Sequence, residues 1–289
     1  MVRDRHRWLG VTCLGFALFG LVLALAGMSQ VFAIWHVAAG QALWGAADGL
    51  LNLGPFVPAT FGILGASIAG KWVAAYFLVR GPLARGERWA LDALGAGLLL
   101  WFALDSAMSF YHGALFNVWM INLAPLLLVG SQLWRAREQA SVRTQRASMG
   151  ARQRTLFLVC SYFSLFGVVV AIGAGSPLFA WYADGMADDF FASELPGAAK
   201  TWLAFIYAPI GATISAHFLM LAWAVRRAPR DRWTHHMVIV SMLAWFVPDT
   251  LTSLLHRAHF NILWVNVPSM VAVGTVWLLA LREVEATAS

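Results

Sequence analysis

Apolar residues in this chain run in long continuous stretches rather than in alternation with polar ones. Eight stretches, at 8–28, 59–79, 91–111, 115–134, 155–174, 201–225, 236–255 and 261–281, meet or approach the length of a spanning helix. Such a helix needs about 20 mostly apolar residues to cross roughly 30 Å of hydrocarbon. A membrane β-barrel would alternate apolar and polar positions along each strand, which these stretches do not. Helices also satisfy every backbone N–H and C=O internally, as lipid requires. The pattern predicts an all-α, polytopic membrane protein with eight transmembrane helices.

Two further segments do not extend that number. Residues 31–53 (VFAIWHVAAGQALWGAADGLLNL) are apolar enough to resemble a span, but the matching piece further on, 178–195, carries Asp184, Asp188, Asp189 and Glu194. Carboxylates inside a bilayer are costly. Both segments are therefore read as connectors at the membrane surface, with Trp35, Trp44, Trp181 and Tyr182 as interfacial aromatics.

Composition narrows the class. Of 289 residues, 60% are hydrophobic and 12% charged, and the mean hydropathy is +0.69. Soluble domains carry roughly 25% charged residues, so a soluble monomer is excluded, as are disordered, collagen-like and disulfide-scaffold chains. The net charge of +6 would fit nucleic-acid binding, but the arginines report topology instead. Arg3, Arg5 and Arg7 precede the first span, and Arg80, Arg85 and Arg88 lie between the second and third. Arg135, Arg137, Arg143, Arg146, Arg152 and Arg154 fill the central loop; Arg226, Arg227, Arg230 and Arg232 separate the sixth and seventh spans, and Arg282 follows the eighth.

All of these fall on one side of an eight-span chain. The other side sets Lys200 and Arg257 against Asp48, Asp184, Asp188, Asp189 and Glu194. The positive-inside rule then puts both termini in the cytoplasm, with membrane lipids rather than nucleic acid as partners. Arg outnumbers Lys and Ala and Gly are abundant, which fits the cytoplasmic (inner) membrane of a GC-rich bacterium. The opening MVRDRHR and its apolar run have the layout of a secretory signal, but the run exceeds the usual 7–15 residues.

The chain repeats itself. Arg5, Arg7, Leu9, Cys13, Phe16, Leu18, Phe19 and Gly20 recur as Arg152, Arg154, Leu156, Cys160, Phe163, Leu165, Phe166 and Gly167. The strongest block sets WFALDSAMSFYHGALFNVWMIN (101–122) against WFVPDTLTSLLHRAHFNILWVN (245–266) in one ungapped register. Leu and Ala matches mean little between apolar helices, whereas identical polar residues in fixed register are hard to obtain by accident. The predicted organisation is two parallel four-helix repeats, 1–134 and 155–289, joined by an Arg-rich cytoplasmic linker at 135–154. An even number of spans per unit gives both the same orientation, with a pseudo-two-fold axis along the membrane normal.

The shared polar residues are the candidate site. Asp105, Ser109 and His112 lie at i, i+4 and i+7 and line one helix face, as do Asp249, Ser253 and His256. Asn117 and Asn122 follow across a short hairpin in the first repeat, Asn261 and Asn266 in the second. An ionisable residue inside a span marks a site by default. If the two stripes meet at the axis, they form one polar pocket in the outer half of the membrane for a small molecule or ion. Two Asp and two His would also suit a divalent metal, although no tight His-x-x-x-His spacing is present. The alternative is a purely structural network of hairpin caps and interhelical hydrogen bonds.

Lys71 and His217 occupy matching positions on the second and sixth spans, where each can approach the Asp of its own repeat as a charge partner. Gly62, Gly65 and Gly70, with Ala208, Gly211 and Ala212, mark close helix packing. Cys13 and Cys160 read as small packing residues. No phosphate-binding loop, dinucleotide fingerprint, zinc-protease pair or nucleophile elbow is present, and no cofactor is implied. Three functions fit: a small permease or proton- or ion-linked transporter, a membrane enzyme using Asp and His on a lipid or isoprenoid, and a structural or assembly subunit.

Overall fold

The computed structural model describes residues 6–138, 140, 148–192 and 194–286. Arg3, Arg5, Arg143 and Arg146 lie outside the described residues. The chain forms helices α1 (Arg7–Ala26), α2 (Ala33–Trp44), α3 (Phe56–Arg80), α4 (Arg88–Tyr111) and α5 (Leu115–Ala136), then α6 (Ala151–Gly173), α7 (Ala180–Phe191), α8 (Gly197–Arg227), α9 (Arg232–Leu255) and α10 (His259–Ala286). Among the described residues, eight of these are long and apolar enough to cross a membrane. The exceptions are α2 and α7, each of 12 residues, hence about 18 Å long at 1.5 Å per residue and too short to span.

The long helices α3 and α8 form the centre. They are buried along 78% and 83% of their most apolar stretch, against 11% for α10. Around them the outer faces present leucine to the surroundings, among them Leu18, Leu25, Leu99, Leu127, Leu158 and Leu251. In lipid this needs no compensation, since acyl chains are as apolar as leucine and helices associate by packing instead.

Small residues permit that packing. α1 lies on α3 and α6 on α8. A Cβ added to Gly20 would stand 2.6 Å from the Gly65 carbonyl oxygen, and one added to Gly167 would stand 2.7 Å from that of Gly211. The backbones therefore touch without side chains between them.

α4 packs mainly on α8, and α9 mainly on α3. Each aspartate-bearing helix thus lies against the central helix from the other half of the chain, and the two halves interdigitate rather than stand as separate bundles. One end of the molecule gathers the arginine-rich turns. Arg85, after α3, bonds Asp231 at 2.7 Å, and Asp231 caps α9 by accepting from the Trp233 backbone N–H at 2.9 Å.

At the opposite end two tight hairpins join α4 to α5 and α9 to α10. The Ala114 N–H bonds the Ser109 carbonyl at 2.7 Å and the Gly113 N–H that of Phe110 at 3.0 Å; Ala258 bonds Ser253 at 2.8 Å and Arg257 bonds Leu254 at 3.2 Å. These are Schellman turns. Gly113 takes the left-handed conformation at φ 69° that the motif requires, whereas Arg257 adopts φ 62° against the preference of a side chain. α5 and α10 then each contain one π-helical turn, Val118–Asn122 and Ile262–Asn266.

The connectors differ from the sequence expectation in one respect. Trp35 on α2 and Tyr182 on α7, expected as interfacial aromatics, are buried, while Trp181 remains exposed. Both connectors fold inward over the helix ends, because each buried ring ends in a donor with a partner in the core.

Candidate functional site: two buried carboxylates

Asp105 and Asp249 are each only 1% exposed. Each lies six residues before the end of its helix, roughly 9 Å from the hairpin at 1.5 Å per residue. Asp105 and Ser109 share a face of α4, and the Schellman turn brings the start of α5 back against that face. There Asn117 Nδ2 donates to Asp105 Oδ1 at 2.9 Å and to Ser109 Oγ at 3.0 Å, and Ser109 donates to the same carboxylate oxygen at 3.3 Å. Around Asp249 the pattern repeats: Asn261 Nδ2 donates to Oδ1 at 2.8 Å and to Ser253 Oγ at 3.0 Å, and Ser253 donates to Oδ1 at 3.2 Å.

The π turns explain how a second asparagine joins. In an α-helix, residues five apart point about 140° away from each other at 3.6 residues per turn. A wider i→i+5 turn brings them toward one side. Asn266 Nδ2 thereby reaches Asp249 Oδ1 at 2.9 Å, and Asn122 Nδ2 donates to Ser106 Oγ, beside Asp105, at 3.3 Å.

Each acid closes one end of a small pocket, of about 40 Å³ at Asp105 and 50 Å³ at Asp249. The two linings correspond residue by residue, except that Trp181 lines the second with no counterpart in the first. Phe19, Leu23, Phe32 and Trp35 of the first match Phe166, Val170, Phe179 and Tyr182 of the second, at an offset of 147. Phe61, Leu64 and Ile68 match Tyr207, Ile210 and Ile214 at 146, and Trp101, Asp105, Asn117 and Ile121 match Trp245, Asp249, Asn261 and Val265 at 144. Even the residues lent by the other half correspond: Pro209 and Thr213 from α8 in the first pocket, Ile63 and Ser67 from α3 in the second.

The two polar stripes therefore do not share one pocket at a common axis. Asp105, Ser109 and Asn117 come together, as do Asp249, Ser253, Asn261 and Asn266, each set within its own half. His112 and His256 line neither pocket. They sit half-buried at the hairpins, where His112 packs edge-on against Phe205. Partial burial holds both imidazoles below their ordinary range, so they are neutral at pH 7. Among the described residues, no group of three or more His, Cys, Asp or Glu is placed to hold a metal ion.

Lys71 and His217 also take other partners. No ion pair within 4 Å links Lys71 to Asp105 among the described residues; its Nζ instead stands 3.8 Å from the Trp101 ring centroid and 4.6 Å from that of Trp72. A desolvated ammonium over an indole face gains about 2 kcal/mol. Trp101 lies one turn before Asp105 on α4, and Lys71 meets its ring in place of the expected ion pair. His217 Nε2 lies 3.0 Å from Ser241 Oγ, away from the Asp249 network.

Sequence reasoning missed the aromatic half of the site. Trp245 Nε1 donates to Asp249 Oδ2 at 3.1 Å. Trp35 Nε1 donates to Asn117 Oδ1 at 3.4 Å, and the Tyr182 hydroxyl to Asn261 Oδ1 at 3.2 Å and to or from that of Tyr207. Trp101 and Trp245 stand in the repeated Trp-Phe pair, so their register was visible. Nothing in composition distinguishes Trp35 or Tyr182 from the exposed Trp181.

Compared with protein-family models, curated proteins and solved structures, the chain matches none of them.

Proposed function

We propose that this chain is a small permease of the bacterial inner membrane, built as two parallel four-helix repeats, with two corresponding pockets for small and largely apolar solutes. The observation that carries this reading is the pair of linings that correspond position by position and end on the same Asp-Asn-Ser cluster. Duplicated units with related sites are the usual construction of carriers. Apolar linings with aromatic rings and a few convergent polar groups suit small, largely apolar molecules. The arginine-rich turns gathered at one end support cytoplasmic termini and leave the two pockets toward the outer face.

A route inward is also supported. A further cavity of about 30 Å³ near His217 shares Ser67, Phe166, Ile214, Trp245 and Val265 with the pocket of Asp249. A smaller one, of about 20 Å³, is lined by Lys71 and Trp72 in the first half. Trp245 lines both cavities of the second half, the position a gating side chain would hold. The enzyme alternative requires an imidazole beside a carboxylate, and neither His112 nor His256 enters a pocket.

The test is a leaflet-exchange assay in proteoliposomes with a fluorescent, tail-labelled amphiphile and a membrane-impermeant quencher. Wild-type protein should accelerate loss of the protected inner-leaflet signal, and Asp105→Asn with Asp249→Asn should abolish the acceleration. Exchange equal to that of empty vesicles, or unaffected by the double substitution in folded protein, rejects the carrier.

A further inference from the structure

The two pockets correspond in shape but not in hydrogen-bonding capacity. At Asp249 the polar positions are filled by the protein itself. The carboxylate accepts from Trp245, Ser253, Asn261 and Asn266, the hydroxyls of Tyr182 and Tyr207 bond one another, and Ser67 Oγ donates to the Ile63 carbonyl at 2.9 Å. At Asp105 the counterpart of Tyr207 is Phe61, which has no hydroxyl. The counterpart of Ser67 is Thr213, whose Oγ1 is fully buried, lines the pocket and has no hydrogen-bond partner. A buried hydroxyl left unpaired is unfavourable and uncommon.

The neighbourhood also specifies charge and route. Asp105 is the one ionisable residue of the pocket lining, and the Lys71 ammonium lies on the Trp101 ring outside it, so the pocket offers an incoming group a hydrogen-bond acceptor and no cation. Its half-exposed lining residues are Phe19 on α1 and Ile121 on α5. Both lie roughly 10 Å inside their helix ends at 1.5 Å per residue, at hydrocarbon depth, beside the exposed Leu18, Val22 and Met120. The mouth therefore opens sideways to acyl chains.

We infer that the Asp105 pocket is a binding site for an uncharged lipid alcohol entering from the bilayer, its hydroxyl donating to Asp105 and accepting from Thr213, while the Asp249 pocket is closed to such a ligand by Tyr182 and Tyr207. A hydroxyl is the one small uncharged group that donates and accepts at a single atom. The inference rests on the carrier reading and names the solute class of one of its two sites.

The test is photolabelling of the full chain in lipid nanodiscs by a diazirine-bearing long-chain alcohol, with peptide mapping. Labels should fall on α1, α3 and α5 around the Asp105 pocket. Thr213→Val should lower labelling about tenfold, the loss of one hydrogen bond to a buried group, and should raise the unfolding temperature without ligand because an unpaired hydroxyl is removed. A merely structural threonine would not move these two readouts in opposite directions. Ser67→Ala should change labelling little.

The methyl ether of the alcohol, which accepts but cannot donate, should compete about tenfold less well. Ile121→Trp, which fills the mouth from the lipid side, should abolish labelling and serves if Thr213→Val does not fold. Labelling insensitive to both substitutions, labels spread evenly over the lipid face, or better competition by the ether or a protonated amine overturns the inference. Leaflet exchange that still depends on Asp105 after such a failure sinks the alcohol alone. Exchange indifferent to both aspartates sinks the carrier.

Discussion

Replacing Asp249 by Asn removes one acceptor from a carboxylate with four donors around it. Oδ1 accepts from Ser253, Asn261 and Asn266, and Oδ2 from Trp245 Nε1 at 3.1 Å. The substituted amide keeps most of these bonds by leaving its oxygen where Oδ1 was. Its NH2 then confronts the Trp245 N–H, and a buried donor loses its partner. In soluble proteins that costs about 1–3 kcal/mol, but hydrogen bonds between membrane helices average about 0.6 and reach about 1.7 kcal/mol. The expected destabilisation is thus about 1–2 kcal/mol. Because the penalty belongs to the indole N–H, it should vanish when that group is absent.

In a Trp245→Phe background, Asp249→Asn should therefore cost less by about the same 1–2 kcal/mol. The matching cycle at Trp101 and Asp105 should show coupling below about 0.5 kcal/mol, since Asp105 is bonded by Ser109 and Asn117 and the Trp101 face carries Lys71. The assay is reversible unfolding in mixed micelles of mild detergent and dodecyl sulfate, followed by circular dichroism for the four proteins of each cycle. Distant independent sites add within about 0.3–0.5 kcal/mol. Additivity at Trp245 and Asp249 within that margin would refute the assignment of the indole to the carboxylate.

Two other outcomes follow from packing and burial. Gly20→Ala and Gly167→Ala each force a methyl against a facing backbone carbonyl, so both should destabilise by about 1–3 kcal/mol. Gly15→Ala, with nothing within 4 Å of its added carbon, should stabilise by up to about 1 kcal/mol through helix propensity; equal effects at all three in thermal unfolding would contradict the α1–α3 and α6–α8 contacts. His112 and His256 have folded-state pKa values lowered by burial, so the unfolded chain takes up protons first as pH falls. Stability should be unaffected above the ordinary imidazole pKa near 6.5 and decline below it until the folded-state values are reached. The double substitution His112→Gln, His256→Gln should flatten the pH 7.5 to 5 slope of the unfolding midpoint, and an unchanged slope would count against the burial.

The spans were legible because a bilayer converts a physical thickness into a run length, and each apolar stretch reports that length without reference to the others. The Asp-Ser and Asp-Asn contacts were legible for a related reason. A helix face and a short hairpin are local geometry, so i, i+4 spacing and a tight turn place Asp105, Ser109 and Asn117 together. The inward turn of Trp35 and Tyr182 was not legible, since hydropathy treats an aromatic at the interface and one in a polar cleft alike. That Lys71 meets the Trp101 ring rather than Asp105 is a matter of helix rotation, which spacing along the chain does not record.

Taken alone, the sequence determined a helical membrane chain, its eight spans, the one-sided distribution of arginine and the two polar clusters. Only the tertiary structure decided that α4 lies on α8 and α9 on α3, so that each cluster closes its own pocket. The reason is that the outer faces of these helices are nearly interchangeable in hydropathy. Small residues such as Gly65 and Gly211 mark close packing along the chain, but which helix each one meets, Gly20 of α1 in the first case and Gly167 of α6 in the second, depends on three-dimensional approach.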